Sequence, residues 1–342
     1  MKLFMPQRVI FDPPSLEYPL GREIFEFFRN KPVEIIHAKA RNTARHISGV
    51  TPAQKYNASK RTLLVTTNKS KKLDICKPSA DYQFSLVGNC PGSCEYCYLQ
   101  TTQGAKPYIK VFVNLADIFN VIGDHIKRNG DEATTFEAAS LGDPLALEHI
   151  TGSIAKTIVF FSGLENGKLR VVTKYNNVDS LLNLRHNQNT HFRISINTDY
   201  VIDNFEHNTA SLAERIEAIS KLGKAGYPIG FLIAPIMRHT DWREEYALLL
   251  RKLENQLGAE LRGKTLTFEL IQHRFTTVAK GLILQRFPKT KLDMDEEKRR
   301  LKWGRFGRYK YVYQKEQAEE IKQYLTSLIT GRFPAADVKY FT

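Results

Sequence analysis

From about residue 82 to residue 285 the chain alternates short runs rich in β-branched and aromatic residues with amphipathic stretches, a pattern that restricts the fold to a parallel sheet or barrel of βα units. The candidate strands are Gln83–Gly88, Ile109–Asn114, Thr134–Ala139, Leu169–Lys174, Phe192–Asn197, Ile229–Pro235 and Leu266–Gln272. Between them Leu115–Arg128, His149–Phe161, Ser211–Ala225 and Asp241–Leu257 carry apolar residues three and four apart, as helices do. Such units predict a partial or nearly closed (β/α) barrel in the α/β class. In that architecture ligands sit at the C-terminal strand ends, where Cys90, Ser140, Lys174, Asn197 and Pro235 fall.

The flanks read differently. Residues 1–80 carry Pro13-Pro14, a short amphipathic helix around Glu23–Arg29 and a basic tract from Lys55 to Lys77, and are expected to be an N-terminal extension packed on a barrel of residues 81–285. Residues 286–342 form the third segment. A length of 342 residues suits a barrel with extensions, and the 42% apolar fraction is enough for a sizeable core. No charged-then-apolar leader opens the sequence and its apolar runs are short, so a cytoplasmic protein without membrane contact is expected. The 50 basic against 36 acidic residues give a formal charge of +14, which favours a polyanionic partner without naming it.

Three of the four cysteines stand at C-x3-C-x2-C spacing, in Cys90-Pro91-Gly92-Ser93-Cys94-Glu95-Tyr96-Cys97. Three thiolates can hold three irons of a [4Fe–4S] cluster and leave the fourth iron open to a small chelating ligand. Zinc ordinarily takes four ligands in two close pairs, and no second pair exists here. A disulfide framework of four cysteines would staple almost nothing in a chain this long. The spacing, with the aromatic Tyr96, resembles the signature of the radical S-adenosylmethionine (SAM) enzymes, whose cofactor supplies the missing ligand through its methionine moiety.

From Arg286 to Lys310 the chain holds ten Lys or Arg against four Asp or Glu, interleaved with Phe287, Trp303, Phe306 and Tyr309. Basic side chains neutralise phosphates and aromatic faces stack on bases, so the combination points to nucleic acid more firmly than charge alone. The glycines at 304 and 307 predict a β-hairpin over 302–313.

Further segments resemble the spore photoproduct lyases: Cys90 to Thr101, Val172-Thr173-Lys174-Tyr175, Phe192 to Asn197, Phe268 to Phe275, and Lys302-Trp303-Gly304-Arg305. The resemblance implies a TIM-type barrel of the radical SAM kind. It implies a DNA repair lyase that returns the ultraviolet lesion 5-thyminyl-5,6-dihydrothymine to two thymines. In that family an electron from the reduced cluster cleaves SAM, the resulting 5′-deoxyadenosyl radical takes hydrogen from C6 of the lesion, and the methylene bridge breaks. Double-stranded DNA carrying the lesion, and an external electron donor such as a flavodoxin or ferredoxin, are the implied partners. The implied compartment is the spore core or germinating spore.

By the same resemblance Cys90, Cys94 and Cys97 are cluster ligands. Lys174, Ser195 and Asn197 would hydrogen-bond SAM, Ala234 and Tyr96 would contact its adenine, and Ser140 would lie beside it. Tyr96 and Tyr98 would relay a hydrogen atom. His273, Arg274, Trp303, Arg305, Lys310 and Tyr311 would contact DNA.

The end of the third strand departs from the family pattern. The usual members place a cysteine at the end of the third strand as hydrogen donor, where this chain reads Glu137-Ala138-Ala139-Ser140, and the neighbouring Leu141 and Gly142 differ as well. A hydroxyl O–H bond is too strong to give a hydrogen atom readily to a carbon radical. Cys76 is the one cysteine outside the cluster motif, and it is the expected donor. Two other readings remain open at this point: a radical SAM enzyme acting on RNA or peptide, and a catalytically inactive DNA-binding homologue.

Overall fold

The computed structural model describes residues 3–39, 47, 49–102, 104, 107–138, 141–258, 261–304 and 309–342. They form two compact units, an N-terminal one of residues 2–91 and 103–192 and a C-terminal one of residues 92–102 and 193–342.

The N-terminal unit contains β1 (Arg8–Phe11), β2 (Glu34–His37), β3 (Thr62–Thr66), β4 (Asp74–Ile75), β5 (Tyr82–Phe84), β6 (Val87–Gly88), β7 (Ile109–Phe112), β8 (Thr134–Ala138) and β9 (Gly167–Thr173). One sheet has the order β2-β1-β3-β7-β6, parallel except where β6 meets β7. Its central β3 is buried at every residue, as the apolar run Leu63-Leu64-Val65 requires of a strand covered on both faces. The helix Pro19–Arg29 buries Leu20, Ile24 and Phe28, four residues apart. The remaining strands run β9-β8-β5-β4, with only β4 antiparallel.

Three expectations change here. The single strand expected over Gln83–Gly88 is two strands in different sheets, β5 paired with β8 and β6 paired with β7. Strand β7, expected among the barrel strands, pairs with β3 and β6 instead. Its alternating pattern specifies a half-buried strand but carries no information about which neighbour it chooses. The helix expected over His149–Phe161 is broken at Gly152, whose φ of 54° lies in the left-handed region. Beyond the break the buried Glu148 carboxylate accepts from the backbone N–H groups of Ile154 and Ala155, at 2.8 and 2.9 Å, and so caps the helix Ser153–Ser162.

The C-terminal unit holds all but the first three residues of β10 (Thr190–Ile196), then β11 (Ile229–Ile236), β12 (Thr267–Gln272), β13 (Arg299–Trp303), β14 (Tyr309–Tyr313) and β15 (Asp337–Phe341). The order is β15-β12-β11-β10, and β12 runs parallel to both β11 and β15. Helices Asp199–Phe205, Leu212–Lys224 and Trp242–Gln256 follow the strands in βα fashion. β13 and β14 form the expected antiparallel hairpin, from Arg299 opposite Tyr313 to Trp303 opposite Tyr309, and its turn, with Arg305, lies outside the described residues. Strand β15, reached through the helix Lys315–Arg332, had no counterpart in the sequence reading.

A buried ion pair crosses this sheet. Arg193 of β10 donates to Glu269 of β12 at 2.6 Å, and the Tyr340 hydroxyl of β15 donates to the same carboxylate oxygen at 2.5 Å. Removing one partner leaves a buried charge without compensation, which costs about 3–5 kcal/mol. Arg193→Met is therefore expected to lower the urea midpoint by that equivalent with an unchanged slope, whereas an unchanged midpoint would mean that water reaches Glu269.

Candidate active site

The cysteine loop is fastened from both sides within the C-terminal unit. The Ser93 N–H donates to the His207 carbonyl at 2.8 Å and the Glu95 N–H to the Phe205 carbonyl at 3.0 Å. The Glu95 carboxylate accepts from Thr290 and bonds His207 at 2.8 Å. The Cys94 carbonyl accepts from the Cys97 N–H at 3.2 Å and from Gln100 Nε2 at 3.0 Å, and Arg286 in turn donates to Gln100. Cys94 is buried and Cys97 half-buried, and neither is in a disulfide.

Tyr96 turns into the interior, where its hydroxyl donates to Glu206. The other Glu206 oxygen accepts from Arg215 at 2.5 Å, and both charged side chains are fully buried. Arg215 also donates to the carbonyls of Ala210 and Ser195, at 2.9 and 3.0 Å. Burial, then the adjacent Glu206 carboxylate, pushes the Tyr96 phenol well above its ordinary range, so it stays protonated with a proton acceptor in contact. Neither Glu206 nor Arg215 was singled out from sequence. The signal was present for Arg215, which lies among the core-facing Leu212, Ile216, Ile219 and Leu222 of one amphipathic helix.

Cys90 belongs to the N-terminal unit, where two groups approach it. The Tyr175 hydroxyl lies 3.6 Å from Sγ, and Lys60 Nζ donates to the Cys90 carbonyl at 2.5 Å. Asn89 takes a left-handed φ of 65°, which asparagine tolerates, and its side-chain oxygen accepts from the Cys90 N–H at 2.8 Å. Gly142 permits the approach of that segment, since a Cβ there would stand 2.2 Å from the Asn89 carbonyl oxygen.

Lys174, half-buried at the end of β9, neighbours a residue that sequence reasoning missed. Asp143 accepts from the Lys174 N–H and the Thr173 hydroxyl, both at 2.9 Å, yet its burial outweighs those bonds and pushes the carboxyl up to about 6. In the C-terminal unit Ser195 and Asn197 are buried and Ala234 half-buried, around the end of β10 and along β11. The Asn197 amide donates to the Pro235 carbonyl at 2.8 Å, and its oxygen accepts from the Tyr246 hydroxyl and the Thr198 N–H, each at 3.0 Å. Asn197 thereby joins the ends of β10 and β11.

The hairpin presents Trp303 and Tyr309 to solvent, 61% and 57% exposed, with their rings edge to face at 4.8 Å. Lys310 is held below the ordinary lysine range by burial and by the nearby cations Arg274 and Lys302. Tyr311 is half-buried and stacks on Phe275 at 5.2 Å. His273, expected to touch DNA, is buried. Its backbone N–H donates to the Ile236 carbonyl at 2.9 Å, and burial beside Arg299 pushes its imidazole down to about 3, so it is a neutral interior group rather than a phosphate contact.

Cys76 is half-buried on a turn after β4 whose carbonyl accepts from the N–H groups of Ser79 and Ala80, at 3.0 and 3.2 Å. Ser79 donates to Glu137 of β8, and Arg170 of β9 donates to the Ser79 carbonyl, so the turn is fixed to both strands. It follows the N-terminal half of β8, since Cys76 N–H bonds the Asp81 carbonyl and Asp81 N–H bonds Thr135. Tyr98 is exposed. Ser140 lies outside the described residues.

The spore photoproduct lyase family model matches residues 4–342. The chain belongs to that family. It is 48% identical to the spore photoproduct lyase of Geobacillus sp. (strain Y412MC61) over 100% of both chains, and 46% identical to that of Bacillus subtilis (strain 168) over 99% of both. Two solved spore photoproduct lyase structures, each 47% identical over the whole of both chains, superpose with TM-scores of 0.95 and 0.96. The fold is therefore the α/β partial barrel expected from the sequence. The second of these structures holds a dinucleoside spore photoproduct. The first also holds AdoMet, in a variant that replaces cysteine by alanine at position 140 and serine by cysteine at position 76 of that protein.

The cysteine loop fits the [4Fe–4S] cluster that this family carries. It offers three thiols, none in a disulfide, at the required spacing along the sequence, and the Tyr175 hydroxyl lies 3.6 Å from the Cys90 sulfur. Among the described residues, no three His, Cys, Asp or Glu side chains converge on a single metal ion. Cys94→Ala is expected to abolish iron and sulfide uptake on anaerobic reconstitution and to stop AdoMet cleavage, while far-ultraviolet circular dichroism stays that of the parent. Full iron loading of the variant would mean that the ligand set is wrong.

Proposed function

We propose that the chain is a DNA repair lyase that reverses 5-thyminyl-5,6-dihydrothymine to two thymines. The observation that carries this reading is its full-length likeness to a lyase structure that holds both AdoMet and the dinucleoside lesion. Bound at the cysteine loop and the strand ends, cluster and AdoMet supply the one-electron chemistry that starts bond cleavage. The chain's own residues do the rest. Cys90, Cys94 and Cys97 anchor the cluster, and Lys174 and Ser195 line the AdoMet side. An external flavodoxin or ferredoxin provides the electron.

The lesion is presented in double-stranded DNA. Arg274 and Lys302 lie near enough to Lys310 to oppose its charge, and a phosphate there relieves that cost. Trp303 and Tyr309 offer exposed rings for stacking where the lesion leaves the helix, a movement cheapest at a weakly paired site. Lys310→Ala should weaken duplex binding and lower the slope of log affinity against log salt by roughly one. Parental slope and affinity in that variant would remove Lys310 from the interface.

Cys76 returns the hydrogen atom to the thymine radical left when the bridge breaks. Its support is chemical, because it is the only thiol outside the cluster motif, and a relative has been solved with cysteine at its position 76 in place of that at its position 140. Tyr96 and Tyr98 are the relay on the cysteine loop, and the bond to Glu206 holds the Tyr96 phenol in place. Cys76→Ala should keep AdoMet cleavage but divert the opened lesion to adducts with small reductants, read by mass spectrometry of the products. An unchanged yield of intact thymine would make Cys76 a packing residue.

A further inference from the structure

Beyond β11 the chain runs through Arg238 and His239 into the helix Trp242–Gln256, and a cavity of about 270 Å³ opens there. Two long helices begin at its wall, with Trp242 and Arg243 in the first turn of one and Gln317 in the first turn of the helix Lys315–Arg332. Their N-terminal dipole ends both favour an anion. Four cationic side chains line the space, Arg238, Arg243, Lys298 and Arg299, against the single lining acid Asp293.

The site is built rather than merely basic. The Arg299 side chain is 1% exposed, lies 3.8 Å from the centre of the Tyr313 ring, and donates to the carbonyls of His273 and Asp293, both at 3.2 Å. Glu320 binds Arg238 at 2.9 Å and also Arg243, and Asp295 binds Lys298 at 3.2 Å, so acids steady three of the cations. Two nitrogens remain buried without a hydrogen-bond partner, Arg238 Nε and His239 Nε2. A buried polar atom left unmet costs about 1–3 kcal/mol, which a bound acceptor recovers.

The geometry points to a phosphate subsite that seats a backbone phosphodiester of the lesion-bearing strand, an assignment that rests on the repair function proposed above. A strand phosphate is favoured over a free anion because Arg299 is the foot of β13, whose far end carries Trp303. The four intervening steps span about 13 Å, roughly four base-pair rises, so one strand can engage both. The subsite would fix the register of the strand while the hairpin meets the distorted bases.

The test uses the reconstituted full chain, Lys298→Gln and Arg238→Gln, with two substrates: a lesion-bearing oligonucleotide duplex and the lesion dinucleoside without flanking phosphates. Each variant should weaken duplex affinity roughly tenfold at low salt and lower its salt slope by about one, with dinucleoside turnover unchanged. Parental duplex affinity and slope in both variants would overturn the subsite, as would loss of dinucleoside turnover along with duplex binding. Variants that change only inhibition by inorganic phosphate would assign the cavity to a free anion and overturn the strand assignment. Failure of the repair reading shows separately, as absence of dinucleoside turnover by the parent.

Discussion

The ion pair between Arg215 and Glu206 is the constraint on which the C-terminal half of the site depends. One buried guanidinium holds the Glu206 carboxylate, the Ala210 carbonyl and the Ser195 carbonyl, and so joins a helix, its preceding loop and the end of β10. Glu206 then holds the Tyr96 hydroxyl, which fixes the cysteine loop to the same framework. A buried charge pair is stabilising only when its remaining hydrogen-bonding capacity is met. Here it is met by backbone carbonyls and by the Tyr96 phenol, so one buried pair both stabilises this unit and positions the cysteine loop.

The cysteines of the loop have unequal surroundings. Cys94 is buried, with its carbonyl accepting from the Cys97 N–H and the Gln100 side-chain amide, whereas Cys90 meets a hydroxyl at its sulfur and an ammonium at its carbonyl. At the hairpin like charges meet instead, with Arg274 and Lys302 placed close enough to oppose the charge on Lys310.

Much of this was legible in the sequence because it rests on local patterns. The cysteine spacing, the βα alternation after residue 190 and the hairpin between Arg299 and Tyr313 each follow from residues near one another in the chain. Pairing partners were not legible. The pattern of β7 fits either sheet, and β15 is short and joins the edge of β12 only after an 18-residue helix. His273 was expected to touch DNA because it follows the last strand, yet it is buried and its carbonyl accepts from Arg299, a contact between residues 26 apart in the chain. Asp143 and Lys60 gave no sequence signal, because a lone carboxylate or ammonium acquires meaning only from what folds against it.

The central claim is that the opened lesion is completed by a hydrogen from an exchangeable protein donor, with the Cys76 thiol as its source. The most direct measurement is anaerobic turnover of the synthetic lesion dinucleoside in deuterium oxide, followed by mass spectrometry of the released thymines. The account predicts deuterium in the restored methyl group for the parent, and loss of that labelled thymine in Cys76→Ala. Restored thymine with an unlabelled methyl group would contradict it, because no thiol or phenol in exchange with solvent could then have closed the reaction.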